Sequence, residues 1–128
     1  MKGSYIDLLI RIKNGYMASK DSVMTPYSKI KEDILKILKK LGYIEDFVVD
    51  KKNKLDITVI LAYENNKPLF TDVKIFSKPG RKFYIKSTEI KTDRSGITSK
   101  VLSTSKGVMT DIEAKKNKIG GELLFEIS

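Results

Sequence analysis

The 128-residue chain contains no cysteine and no histidine. Without cysteine there is no disulfide framework, no thiolate metal site and no cysteine nucleophile. Without histidine the commonest general base and metal ligand is also missing, so an enzyme built on this chain would have to work through carboxylates or lysine. Arginine is scarce: Arg11, Arg81 and Arg94 are the only three among 25 basic residues. Positive charge is therefore carried mostly by lysine, a point charge rather than a planar fork. No apolar run approaches membrane-spanning length, and the N-terminus lacks the apolar core of a signal peptide. The expectation is a protein of the cytosol or of an organelle interior, with no membrane partner.

What is present is an ordinary globular composition with a strong charge bias. Hydrophobic residues make up 41% of the chain, too many for disorder at this charge, and the net charge is +9. Residues 1–64 carry 12 basic and 9 acidic side chains, whereas residues 65–128 carry 13 and 7. So basic a small protein implies a polyanionic partner: nucleic acid, an acidic membrane or an acidic protein. The length allows one domain or two very small ones, with a modest core.

Hydrophobic spacing gives the elements. Ser4-x-x-Asp7 can cap a first helix whose stripe is Tyr5, Leu8, Leu9, Ile12 and Tyr16, with an exit near Asn14-Gly15. Val23 to Tyr27 is extended, and Pro26 keeps it at an edge or a strand end. Ser28 to Leu41 is a second helix with Ile30, Ile34, Ile37, Leu38 and Leu41 inward, ended by Gly42. Three strands follow, at 44–49, 55–63 and 69–76, read as an antiparallel meander covered on one face by the helices. Pro79-Gly80 is a turn before a short strand, Lys82–Lys86. Glu122–Ile127 reads as a buried closing strand.

The most informative stretch is Ser103-Thr104-Ser105-Lys106-Gly107-Val108-Met109-Thr110-Asp111, followed by Gly120-Gly121-Glu122. An apolar run stops at Leu102, three hydroxyl residues follow, then a cation and a glycine. Thr110-x-x-Glu113 is a capping-box pattern that opens a short helix, Asp111 to Lys116, with Asn117 placed for a left-handed exit. A hydroxyl-rich loop beside a helix start suits a phosphate or a sugar.

This stretch resembles the signature of the bacterial-type family of small ribosomal subunit protein number eight. Asp7–Gly15, Ser28–Lys31, Leu41–Phe47 and the serine-basic-proline-glycine turn at Ser77–Gly80, with Tyr84 after it, are similar to the same family. Where that family has a proline and a second glycine in the loop after Ile90, this chain has Lys91 and Thr98. The resemblance spans Asp7 to Ile127. The architecture expected is α/β (α+β). Residues 1–72 form a helix–strand–helix–strand–strand subdomain and residues 73–128 an RNA-binding subdomain of mostly antiparallel β with one short helix.

The resemblance implies a primary ribosomal-RNA-binding protein that docks on an irregular helix in the central domain of small-subunit RNA and helps assemble the platform. It also implies neighbouring small-subunit ribosomal proteins, a monomer when free, a cytoplasmic location in the ribosome, no metal or other cofactor, and no catalysed reaction. The alternative is a translational repressor on a messenger RNA that mimics the ribosomal site. A phosphate-handling enzyme is the remaining rival, but the loop lacks the glycine-lysine-serine order of a nucleotide-binding loop.

A regular RNA helix hides its base edges, so shape, hydroxyls and displaced bases are read in the shallow groove. Ser103, Thr104 and Ser105 are compact donors for that groove, Lys106 supplies charge, and Gly107 lets backbone approach backbone. Glu122 repels phosphate, so a short-range role fits it: accepting from base amino groups or 2′-hydroxyls, or orienting the serines. Tyr84 either stacks on a base or sits in the core with Phe83 and Ile85 on the opposite face. Arg81 and Lys86, which flank it, join the candidate set. Lys29 and Lys31, at a helix start where the dipole disfavours them, are either phosphate contacts or exposed lysines.

Overall fold

The structure, a computed structural model, describes residues 5–50, 52, 55–64, 67–68, 72–78, 80–92 and 98–128. Ser4, expected to cap the first helix, and residues 69–71 of an expected strand lie outside that set, as do Pro79 and 93–97. Two compact units divide the chain, Met1–Thr71 and Asp72–Ser128.

In the first unit α1 spans Tyr5–Met17, β1 Ser22–Pro26, α2 Lys29–Leu41, β2 Asp46–Val49 and β3 Asp56–Ile60, with a small hairpin of β4 (Tyr63–Glu64) and β5 (Lys67–Pro68). The sheet order is β1-β3-β2, all antiparallel. The core is the α1 stripe Leu8, Leu9, Ile12 and Tyr16, the α2 stripe Ile34, Leu35, Ile37 and Leu38, and Ile57 and Val59 from β3. The Tyr16 hydroxyl donates to Tyr43 O at 2.6 Å and accepts from Ala62 N at 3.0 Å. Burial raises its pKa above the usual tyrosine value. Ser28 caps α2 by accepting from Lys31 N at 3.3 Å, and Gly42 ends it at φ +87°.

Two expectations are corrected here. The first helix does not leave at Asn14-Gly15 but runs to Met17. Gly15 is there for packing, because a Cβ would meet Val23 Cγ1 at 2.5 Å. The sheet is also not a meander of three consecutive strands. Its third member is β1, at an edge with Pro26 at its end, and the strand before Phe76 belongs to the other unit.

The second unit holds β6 (Val73–Ile75), β7 (Tyr84–Ile85), a 3-10 turn (Ser87–Glu89), β8 (Ser99–Thr104), β9 (Gly107–Thr110), α3 (Asp111–Lys116) and β10 (Gly121–Ile127). β10 is central, with β8 on one side and both β6 and β7 on the other, while β9 pairs outside β8. One face buries Leu102, Met109 and Leu123 with Ile90 and Ala114, joined by Phe76, Ile85 and Ile119. Thr110 caps α3, accepting from Glu113 N at 3.3 Å and donating to Glu113 Oε1 at 3.2 Å. The left-handed residue after α3 is Lys118 at φ 55°, whereas Asn117 stays right-handed.

Candidate nucleic-acid interface

Directly opposed residues of an antiparallel pair put their side chains on the same face. In the second unit Tyr84 lies opposite Glu122, Glu122 opposite Ser103, and Ser103 opposite Val108. Four strands, β7-β10-β8-β9, therefore line up Tyr84, Glu122, Ser103 and Val108 in one row roughly 15 Å long at ordinary strand spacing. The next row, Leu123, Leu102 and Met109, points the other way and is buried. The first row is accordingly the outer one, and Tyr84 is 68% exposed. This removes the core reading of Tyr84. Phe83 packs on Phe76 with ring centroids 5.6 Å apart, and Ile85 joins the core.

The hydroxyl-rich segment is a hairpin rather than a loop. β8 runs through Ser103 and Thr104, Ser105-Lys106 make the turn, and Gly107 opens β9. Thr104 is held inside that turn: its Oγ1 accepts from Lys106 N at 3.1 Å and donates to Gly107 O at 2.8 Å. In the free chain its proton is held within the turn. Ser105 and Lys106 are exposed at the tip. Gly107 takes φ +110°, which the turn needs, and a Cβ there would meet no protein atom within 4 Å.

Within the unit, close backbone approach occurs at the Gly120-Gly121 pair. A Cβ on Gly121 would collide with Ser103 O and come within 3.1 Å of Thr104 Cα. On Gly120 it would meet Ile85 O at 2.5 Å and Lys86 Cα at 3.0 Å. The two glycines bring β7 and β8 together around Glu122. Among the described residues no hydrogen bond reaches the Glu122 carboxylate, so it does not orient the Ser103 hydroxyl directly opposite. An open depression of about 350 Å³ beside it is lined by Tyr84, Ile85, Lys86, Glu89, Gly120 and Gly121.

With this geometry in hand, comparison with known proteins is specific. The family described as Ribosomal protein S8 matches residues 5–128. The chain belongs to the ribosomal protein S8 family. It is 44% identical over 125 residues to the small ribosomal subunit protein uS8 of Persephonella marina, covering 92% of each chain. It is likewise 44% identical over 121 residues to uS8 of Nitratidesulfovibrio vulgaris (94% of each). Against uS8 of Buchnera aphidicola subsp. Schizaphis graminum it is 40% identical over 128 residues, covering 100% of this chain and 98% of that one.

The remaining candidates of this S8-family chain separate by position. Lys86 lines the depression, and Arg81 sits in the turn before β7, closed by backbone bonds between Lys78 and Arg81. Lys29 is exposed and paired with Asp33 at 3.1 Å, which holds its ammonium above the usual lysine value. Lys31 is a correction: it is wholly buried, and its Nζ donates to Thr25 Oγ1 and Pro26 O, both at 2.9 Å. Burial pushes its ammonium below the ordinary value. It ties β1 to α2 and presents nothing to a phosphate.

Sequence reasoning missed β9, Val108 and the part played by Ser77. The signal for β9 was two apolar pairs, Val101-Leu102 and Val108-Met109, around a short polar stretch ending in glycine. Buried Ser77 accepts from Phe83 N at 2.8 Å and donates to Phe83 O at 3.3 Å, pinning the chain that leads into β7. Among the described residues no acidic cluster fit for a metal occurs, and no helix is long and apolar enough to cross a membrane.

Proposed function

We propose that the chain is a ribosomal-RNA-binding constituent of the small ribosomal subunit. It docks through the second unit on an irregular helix in the central domain of small-subunit RNA and supports assembly of the platform. It is a monomer when free, acts in the cytoplasm and catalyses no reaction. The carrying observation is the outer row Tyr84–Glu122–Ser103, set beside a turn with exposed Ser105 and Lys106. The row offers an aromatic face for an unstacked base, a carboxylate for base amino groups or 2′-hydroxyls, and a hydroxyl that donates and accepts. None of these carries positive charge, so they supply discrimination more than phosphate affinity, while Lys106, Lys86 and Arg81 supply charge at the margin. That the relatives are named as small-subunit proteins supports the same placement.

Footprinting on full-length small-subunit RNA tests the site, with the chain's own transcript as competitor. Protection confined to one irregular helix is expected, and protection only on the transcript points to a repressor. Glu122→Gln keeps the shape and removes the charge. It should weaken the protected RNA by ~1–3 kcal/mol, as loss of a charged hydrogen bond does, and leave plain duplex unchanged or slightly tighter. Equal tightening of both RNAs would remove Glu122 from recognition.

A further inference from the structure

β10 keeps one neighbour along one side and changes neighbour along the other. β8 pairs with it from Glu122 to Ile127, whereas β6 pairs only at Phe125–Ile127 and β7 only at Gly121 and Glu122. The chain between β6 and β7 must therefore leave the sheet and return to the same strand a few residues along. β7 is two residues long, so its own ladder fixes little. A slip of one residue would flip its side chains. Tyr84 would then turn toward the cluster that holds Ile85 and leave the row with Glu122 and Ser103.

One hydroxyl spans the place where the neighbour changes. Leu124 O of β10 accepts from Phe76 N at 3.0 Å and from Ser77 N at 3.4 Å, so the Ser77 backbone is tied to the central strand. The Ser77 Oγ accepts from Phe83 N at 2.8 Å and donates to Phe83 O at 3.3 Å. Phe83 O also accepts from Leu123 N at 2.8 Å. Paired backbone bonds between Lys78 and Arg81 close the turn in between. The residue before Tyr84 is thus held at both its backbone groups by a side chain that is itself fixed to β10. Ser77 is 1% exposed, so it lies beneath the surface that a ligand would meet. Its two contacts need a group that both donates and accepts, which alanine lacks.

We infer that Ser77 is a positioning residue for RNA recognition: it sets the register of β7 on β10 and so keeps Tyr84 in the outer row. The inference rests on the RNA-binding reading above and adds to it a residue that acts only through another.

A double-mutant cycle with Tyr84→Ala tests it, at a temperature where melts show every variant folded. Ser77→Ala should weaken binding to the small-subunit RNA helix protected in the footprint roughly 3- to 30-fold, part of the value of a base stack, and leave plain duplex unchanged. In the Tyr84→Ala background the same change should cost less than about twofold, because the ring it positions is gone. In the free protein, amide exchange at Phe83 should speed up while β8 stays protected. Ser77→Cys fills the same space with a weak donor and carries the cycle if Ser77→Ala does not fold. Equal losses in both backgrounds, equal losses on both RNAs, or unchanged exchange at Phe83 would each overturn the inference and leave Ser77 a residue of stability alone. If Tyr84→Ala by itself leaves affinity for the protected helix intact, the reading of Tyr84 as an RNA contact fails and takes this inference with it.

Discussion

The two units solve one packing problem and present opposite surfaces. Each pairs antiparallel strands and packs helix on its sheet, two 13-residue helices in the first unit and the six-residue α3 in the second. On the outer face of the first, Met24, Val48 and Ile60 stand beside Asp46 and Asp56. On the outer face of the second stand Tyr84, Glu122 and Ser103, next to a turn carrying Lys106. The lysines sharpen the contrast. Lys31 is among the largest fully buried side chains of the described residues, whereas Lys106 is exposed at a hairpin tip. Counting cations therefore points to a polyanionic partner without saying where it would bind. The groups around each cation decide whether it meets solvent, a carboxylate or the protein's own carbonyls.

The sharpest way to break the contrast is Lys31→Ala. It removes a long buried stem and leaves Thr25 Oγ1 and Pro26 O without their donor. The expected loss of stability is ~2–5 kcal/mol, the range for large-to-small changes in a core. Protein that remains folded should bind RNA as before. Lys31→Met restores the packing and should recover most of the loss. Because burial lowers the Lys31 pKa, the folded state holds this proton less tightly than the unfolded state does. The unfavourable linkage is full below the folded-state pKa and vanishes above the ordinary value of 10.5. The natural chain should therefore gain stability relative to Lys31→Met as pH rises through that window. Denaturant melts across pH check both points. Weakened RNA binding at unchanged stability would return Lys31 to the interface.

Next in size is Gly121→Ala, which acts on the second unit alone. The new methyl has nowhere to go but into Ser103 O, so β8 must shift from β10. Overpacking of this kind costs about 1–3 kcal/mol of stability, and RNA affinity should fall with it because Ser103 and Glu122 lose register. A stable, fully binding variant would show that the glycine pair does not set the row.

Tyr84→Ala should divide the two properties the other way. The side chain is largely exposed, so the melting temperature should hardly move. Binding to the cognate RNA should fall by ~1–3 kcal/mol, the usual value of a base–aromatic stack, and Tyr84→Phe should be tolerated. Lost stability with unchanged affinity would remove Tyr84 from the interface.

How much of this was legible beforehand depended on whether a local rule governs the residue. α2 is announced by Ser28, a 3.6-residue stripe and Gly42, and its ends fall where caps put them. Strand partners are set by pairing across the chain, so β1 joining β3 could not be read from hydrophobic alternation alone. The hairpin at Ser105-Lys106 lacks an Asn-Gly turn signal, so the positive φ of Gly107 was not read from the sequence. Of the candidate site, Ser103, Tyr84 and Glu122 fall into one row because two pairing registers agree. The internal bonds of Thr104 and Lys31 were not legible because residue type does not reveal an internal acceptor. Thr104 has one in Gly107 O, and Lys31 has two, Thr25 Oγ1 and Pro26 O.

The smallest effect expected separates Lys29 from Lys106. Both are exposed lysines, but Lys29 shares its charge with Asp33 at 3.1 Å on the same helix face, and among the described residues no carboxylate pairs with Lys106. A cation already neutralised by a carboxylate has less to gain from a phosphate, and engaging one would first require it to leave Asp33. Binding affinity should fall with salt at about 0.7–0.9 log unit per log salt for each phosphate neutralised. Lys106→Ala should therefore reduce the slope by about one such step, and Lys29→Ala by clearly less. Neither should change the melting temperature measurably. A full step lost on Lys29→Ala, with none on Lys106→Ala, would move the phosphate contacts to the first unit and reverse the assignment of the two surfaces.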